Sequence, residues 1–306
     1  MKQAIAIFTI IAALAACSKE TAPEASEHLG IIEMFSPGED AAPAVHDIFE
    51  RYGIWTRTYF SSIQEITNAI LEVDALVRNF GAENLDPSRE NEVFLYTSAL
   101  LSNVSPEFTK KFFPLEIFYV KTYGARFWIY PLKILGRGRI IISWPQSEVP
   151  EDEPLVDPAN HYYRDSTLAV GVWRLIATSI THRLEEAPAG FVAAGKAHDN
   201  GEIYERILDD YYATDDNVKY NADIAEMTAN GGYITGNGSR DFRADLDDWI
   251  RLLATESYDN IKRDYLDNSK ARAAKYQTVV DFAMQNGWDI QAAGNLYRQR
   301  HDALAE

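Results

Sequence analysis

The amino-acid sequence predicts an α+β fold: a small mixed β-sheet with N-terminal helices, followed by a mostly helical C-terminal half. Three observations carry the prediction. The runs Phe113–Val120, Phe127–Tyr130 and Ile140–Trp144 are short, aromatic and β-branched, and the Gly136-Arg137-Gly138-Arg139 turn precedes the last of them. An acidic, proline-rich link over residues 147–158 then separates this region from the rest. From Ser166 onward almost every segment has helical periodicity, most clearly Leu168, Val172, Ile176, Ile180 and Leu184, an apolar stripe at spacings of four that belongs in a core.

Taken in order, the chain opens with Lys2, an apolar run from Ala4 to Leu14, and Ala15-Ala16-Cys17, which holds the only cysteine of 306 residues. A positive start, roughly ten apolar residues and a small-residue cleavage site describe an export leader, whereas a membrane span needs about 20 apolar residues. Leu14-Ala15-Ala16-Cys17 resembles a bacterial lipobox. That resemblance implies cleavage before Cys17, acylation of its thiol and attachment to a membrane by lipid. Ser18 at the next position, rather than Asp, implies the outer membrane, on its periplasmic or cell-surface face. Residues 1–16 are therefore expected as a signal peptide and 17–41 as a flexible tether biased to Pro, Ser, Glu and Ala. The folded domain is expected over 42–306, with a sheet-containing part at 42–146 and a helical part at 159–306. In the first part the patterns predict helices over 44–51, 63–80 and 90–112, the last interrupted by Pro106, and a strand at Trp55–Phe60. In the second they predict the helix carrying the apolar stripe, then helices over 203–212, 222–229, 242–266, 271–285 and 290–304.

Composition narrows the function classes. A content of 46% hydrophobic and 12% aromatic residues is ample for a buried core and excludes a disordered chain. The formal charge of −17 becomes −18 without residues 1–16, whose only charge is Lys2. The basic residues are scattered among a larger number of acids, and no concentrated Lys/Arg surface of the kind that binds phosphates is visible, so nucleic acid is not an expected partner. With Cys17 committed to lipid, neither a disulfide nor a cysteine metal cluster can form. Any metal site has to draw on His, Asp and Glu.

Four stretches, in their order and spacing, resemble one family. They are Arg51-Tyr52-Gly53-Ile54-Trp55-Thr56-Arg57-Thr58-Tyr59; Phe108-Thr109-Lys110-Lys111-Phe112-Phe113-Pro114-Leu115-Glu116-Ile117-Phe118; Asn221-Ala222-Asp223-Ile224-Ala225-Glu226-Met227; and Val279-Val280-Asp281-Phe282 with Asn286-Gly287-Trp288-Asp289-Ile290. Over about residues 44–304 they are similar to the substrate-import-associated zinc metallohydrolase lipoproteins, zinc-binding metallopeptidases of Bacteroidota encoded beside outer-membrane glycan-import systems. The resemblance implies a zincin-like fold. In that family a helix bears His-Glu-x-x-His: two histidines four apart hold Zn²⁺ from one helix face, and the Glu between them is the base toward metal-bound water. A Glu from a downstream segment is the third ligand.

At the matching positions this chain departs from the pattern. The first ligand is Thr178, the base is Ser179, the second ligand is His182 and the third is Ala222. Folded four-ligand zinc sites bind with about 10–16 kcal/mol, of which one imidazole supplies a small part. No catalytic residue, no metal and no other cofactor is therefore expected at these positions. Substitute ligands to consider are Glu186, one turn beyond His182, and His198 beside Asp199, with His161 close in sequence. An inverted His-x-x-Glu-His motif needs a histidine at 186, where Glu186 stands.

Other constellations are weaker. Asp209-Asp210 and Asp215-Asp216-Asn217 lack the alternation, fixed Gly and terminal Glu of a calcium loop and read as a solvated helix end and turn. Residues 231–238 are glycine-rich but have no Gly-Lys-Ser/Thr and follow no strand, so they read as a crossing between helices. Gly-x-Ser-x-Gly is absent. Trp128, Tyr130, Trp144, Tyr162, Tyr163, Tyr211 and Tyr212 are candidates either for a sugar-stacking platform or for core.

Three readings of function follow. The expected one is a non-catalytic accessory or binding component of a nutrient (glycan) import locus, with outer-membrane import proteins as partners and a glycan or peptide as ligand. The second is an active zinc-dependent hydrolase on peptide or glycopeptide substrates, using substitute ligands. The third is a structural or interaction lipoprotein of unrelated fold.

Overall fold

A computed structural model of the chain describes residues 35–67, 80–125, 128–136, 138–144, 157–198, 201–235 and 241–305, with the backbone alone at Phe80, Trp128, His198 and Ala305. The signal peptide, Cys17 and most of the expected tether lie outside the described residues. Helix α1 (Pro43–Tyr52) begins on a proline in its first turn and ends where Gly53, at φ 72°, takes the left-handed conformation that a side chain would strain. Strand β1 (Trp55–Arg57), helix α2 (Ile63–Thr67) and strand β2 (Phe80–Asn84) follow. Helix α3 (Glu90–Leu101) and helix α4 (Pro106–Phe112) flank Ser105, whose hydroxyl accepts the Phe108 N–H and caps α4. Strands β3 (Glu116–Ala125), β4 (Trp128–Ile129), β5 (Leu132–Leu135) and β6 (Arg139–Ser143) complete the sheet.

The sheet is mixed, in the order β1-β3-β6-β5. β1 and β6 run parallel to β3, β5 is antiparallel to β6, and β2 and β4 pair antiparallel with the far end of β3. Alternation splits the central strands between two faces. Ile117, Tyr119, Ile140 and Ile142 join the large core built by the helices, while Phe118, Val120 and Ile141 pack with Phe60 and Ile66 on the other side. Cover on both faces is the reason Ile140-Ile141-Ile142 is continuously apolar rather than alternating.

The rest is helical: α5 (His161–Arg164), α6 (Ser166–His182), α7 (Phe191–Gly195), α8 (Gly201–Thr214), α9 (Asn217–Gly231), α10 (Phe242–Thr255), α11 (Tyr258–Ile261), α12 (Lys270–Gln285) and α13 (Ile290–Ala305). The α+β expectation is met, and Pro37–Glu306 form one compact unit. The predicted stripe on α6 is core: Leu168, Val172, Ile176 and Ile180 are buried and Leu184 packs against them. Beside it the Trp173 ring stacks on Trp288 at 5.6 Å, and the Trp288 indole N–H donates to the Asn103 carbonyl at 2.9 Å, joining the C-terminal helices to the sheet-containing part. No helix among the described residues is long and apolar enough to cross a membrane.

Four local expectations are corrected. The helix expected over 63–80 is helical at Ile63–Thr67, and Phe80 opens a strand instead. Phe80-Gly81-Ala82-Glu83-Asn84 has little strand propensity of its own, but the end of β3 extends past its other neighbours and offers a row of unpaired N–H and C=O groups. The strand expected from Phe113 begins at Glu116, because Phe113 turns into the aromatic core, 5.9 Å from the Trp173 ring. The strand expected over Trp55–Phe60 ends at Arg57. The single helix expected over 242–266 breaks at Glu256, whose backbone is extended, and restarts as α11 under a Ser257 cap before a wide π-type turn over Lys262–Leu266.

Candidate functional site

The helix that carries the sequence-predicted positions Thr178, Ser179 and His182 is α6. Asp165 caps it by accepting the Leu168 N–H at 2.8 Å, and Gly171 lets the edge strand β5 approach, since a β-carbon there would lie 2.5 Å from Leu132 Cδ1. The last turn of α6 holds Thr178, Ser179, Thr181 and His182, and α10 packs along it. α10 is capped by Asp241, which accepts the N–H groups of Arg243 and Ala244, and its inward residues Leu246, Trp249, Ile250 and Leu253 are core. That packing delivers Asp247 to the end of α6.

Asp247 organises the turn. Thr178 Oγ1 lies 2.8 Å from Asp247 Oδ2, and Thr181 Oγ1 lies 2.6 Å from Asp247 Oδ1, one hydroxyl to each carboxylate oxygen. Thr178 Oγ1 is also 3.0 Å from the Arg174 carbonyl, but a hydroxyl has one proton, and an ionised carboxylate can only accept. Burial pushes the Asp247 carboxyl up from its ordinary value; the Thr181 and Thr178 hydrogen bonds and the nearby His182 charge pull it back, and Asp248 pushes it up further. Folded Asp247 thus holds its proton more tightly than the unfolded chain does, so from pH 3.8 upward through the raised value its contribution to stability falls as pH rises. The neutral, isosteric Asp247→Asn variant escapes this decline. Denaturant unfolding is expected to show its stability relative to wild type improving as pH rises from 3.8 through the raised value, and a difference independent of pH would show that burial does not govern this carboxyl.

The positions singled out by sequence are placed as follows. Thr178 is tied to Asp247, Ser179 is fully buried, and His182 is at the exposed end of the helix. Ala222 is exposed on α9, which packs on α7, α8 and α12. Glu186 is exposed beyond the helix end, His198 closes a 3₁₀ turn after α7 with only its backbone described, and Asp199 and Cys17 lie outside the described residues. His161 is on α5, against Trp144 at 5.2 Å and Tyr96 at 6.1 Å, where burial lowers its pKa. Thr178, Ser179 and His182 therefore share one turn. Asp247 is the partner that sequence did not reveal, because it stands among charged residues on an amphipathic helix and acquires its role only when α10 meets α6.

Chemistry at this turn does not fit zinc. Zn²⁺ takes imidazole, thiolate or carboxylate donors, and the turn presents one imidazole, two hydroxyls already hydrogen-bonded and one carboxylate holding both of them. Among the described residues no group of three His, Cys, Asp or Glu side chains is placed to hold a metal.

The remaining candidates resolve individually. Trp144, Tyr162 and Tyr163 are core and cannot stack a sugar, whereas Tyr212 is 76% exposed beside Tyr211 on α8; the Trp128 ring is outside the described side chains. Asp216 caps α9, and Asp210 and Asp223 both bind Lys219, so these acids serve helix ends and surface pairs. Gly231-Gly232 end α9, with Gly232 at φ 73°.

No family model matches the chain, and no curated protein matches it. The structure is similar to a crystal structure from Bacteroides caccae, of a protein provisionally described as a zinc-binding metallo-peptidase, with 14% identity, a TM-score of 0.46, and coverage of 87% of this chain and 96% of that one.

Proposed function

We propose that the mature chain is a lipid-anchored outer-membrane accessory protein, a non-catalytic binding or assembly component of a nutrient (glycan) import locus, on a metallopeptidase-like scaffold whose metal centre has decayed. The observation that carries this reading is the last turn of α6. Where a zinc hydrolase needs an imidazole and a carboxylate base, this turn offers Thr178, hydrogen-bonded to Asp247, and Ser179, buried against the core. A serine hydroxyl keeps its proton at neutral pH and does not replace a carboxylate as base toward water. His182 alone retains ligand chemistry, and one imidazole is too little coordination for a stable zinc site. Leu14-Ala15-Ala16-Cys17 supports the membrane half of the proposal.

Metal analysis of protein purified without chelator tests it. The expected zinc content is far below equimolar and unchanged in His182→Ala. An equimolar zinc content that disappears in His182→Ala would instead make this chain a working metallohydrolase with substitute ligands.

A further inference from the structure

Helix α8 has a wider apolar face than its neighbour α9 covers. Successive residues of an α-helix advance by about 100°, so Ile203, Ile207, Tyr211, Tyr204, Leu208 and Tyr212 fill an arc of about 180° on α8. α8 packs on α9, and one packed face takes up a stripe of about 100°. The Tyr211 ring lies 4.8 Å from the Tyr220 ring of α9, and Tyr204 shares a hydrogen bond with Tyr220, so the middle of the arc is the covered part. Leu208 and Tyr212, one turn apart, stand on the flank of that contact. No residue of α8 is fully buried; Leu208 is half-buried and Tyr212 is 76% exposed.

The charges around this flank select its occupant. Residues 201–231 hold eight acids against two bases, Arg206 and Lys219. Lys219 is already held by Asp210 and Asp223. Glu205 and Asp209, four apart like Leu208 and Tyr212, form the next row round the helix; both are exposed, and neither has an ion-pair partner among the described residues. A second copy of the chain would set this row against like charge, and an anionic lipid surface would do the same. A helix whose apolar ridge is flanked by cations matches both rows at once. We infer that the Leu208–Tyr212 flank of α8 is a docking site for a basic amphipathic helix of a partner protein, which lays its apolar ridge on Leu208 and Tyr212 and places lysine or arginine side chains at Glu205 and Asp209. The uncovered apolar row gives attachment, and the carboxylates give orientation and selectivity. This surface does not involve the α6 turn, so its occupancy is independent of the zinc content.

A blocked peptide of about 15 residues, with leucines at helical spacing and lysines elsewhere, tests the inference on the full chain, read at the Leu208 and Tyr212 amides by two-dimensional NMR. It is expected to shift both amides saturably and to bind about tenfold tighter than the same peptide with glutamate in place of lysine. In the double variant Glu205→Gln/Asp209→Asn, two surface changes that preserve shape, that preference is largely lost while the spectrum stays folded. Tyr212→Ser, a change at an exposed position, weakens the lysine peptide severalfold. Equal binding of the lysine and glutamate peptides overturns the charge assignment, and equal binding of a peptide of the same composition in scrambled order overturns the helix face. Shifts at Tyr212 on raising the concentration of the chain alone assign the flank to a second copy and overturn the partner; shifts produced by phosphatidylglycerol vesicles assign it to a membrane and do the same. No shift with any of these overturns the site.

Discussion

Replacing Asp245 with alanine is expected to destabilise the fold by about 3–5 kcal/mol, because it strands a buried cation. Lys275 on α12 is 2% exposed, and its Nζ lies 2.6 Å from Asp245 Oδ2 on α10. The ammonium also sits 4.2 Å from the Tyr233 ring and 5.1 Å from the Phe191 ring. Cation–π contacts are worth about 2 kcal/mol when desolvated, less than burial of an unpaired ammonium costs, so the rings cannot hold the charge without the carboxylate. The Asp245→Leu/Lys275→Met double variant removes both charges and should recover most of the loss, since buried pairs replaced by apolar residues of similar size are often neutral or better. Denaturant unfolding of the single and double variants measures both. A single-variant loss below about 1 kcal/mol would mean that water reaches Lys275.

Glu116→Ala is the second large effect, expected at about 3–5 kcal/mol for the same physical reason in a different place. Glu116, 1% exposed at the start of β3, accepts Arg139 Nε at 2.6 Å and Arg57 Nη1 at 3.3 Å. Arg139 Nη1 also donates to the Glu65 carbonyl at 2.9 Å, and the Phe118 ring lies 4.5 Å and 5.0 Å from the two guanidinium carbons. Glu65 completes the balance: burial pushes its carboxyl up, but the Ser61 N–H and hydroxyl and the Arg57 guanidinium outweigh it and bring it down to about 2. That contribution is present above the ordinary carboxylate value and is lost only as pH falls toward about 2. Without Glu116, Arg57 keeps the Glu65 carboxylate, whereas Arg139 loses its Glu116 carboxylate and retains the backbone carbonyls of Glu65 and Ile66. The cluster ties β1 to β3 and β6, so hydrogen exchange should show β1 opening before the helical half, and an unfolding loss without selective exposure of β1 would argue that the network is not what holds this edge.

How far the chain could be read follows from which signals are local. The apolar stripe repeats at helical spacing, so the buried face of α6 was legible from Leu168 to Ile180, while Leu184, the last residue of the stripe, lies past the helix end at His182 and is half-buried. The α+β division was legible because Ile140–Trp144 can satisfy its β-branched side chains only between two covered faces. Strand β2 was not legible, since Phe80–Asn84 takes its conformation from the unpaired end of β3. The break at Glu256 was equally hidden, because the amphipathic pattern continues across it and only the extended backbone there ends α10.

At the candidate site the same division holds. The resemblance alone singled out Thr178, Ser179 and Ala222; that they carry no imidazole, thiolate or carboxylate is read from the residue types themselves. The use Thr178 makes of its hydroxyl, and the matching of Asp245 with Lys275 and Glu116 with Arg139, depend on residues between 23 and 69 positions apart. Only the folded packing of α10 on α6, of α12 on α10 and of β3 on β6 brings those groups within bonding distance, since a hydrogen bond or a buried ion pair is decided by where two atoms meet in space.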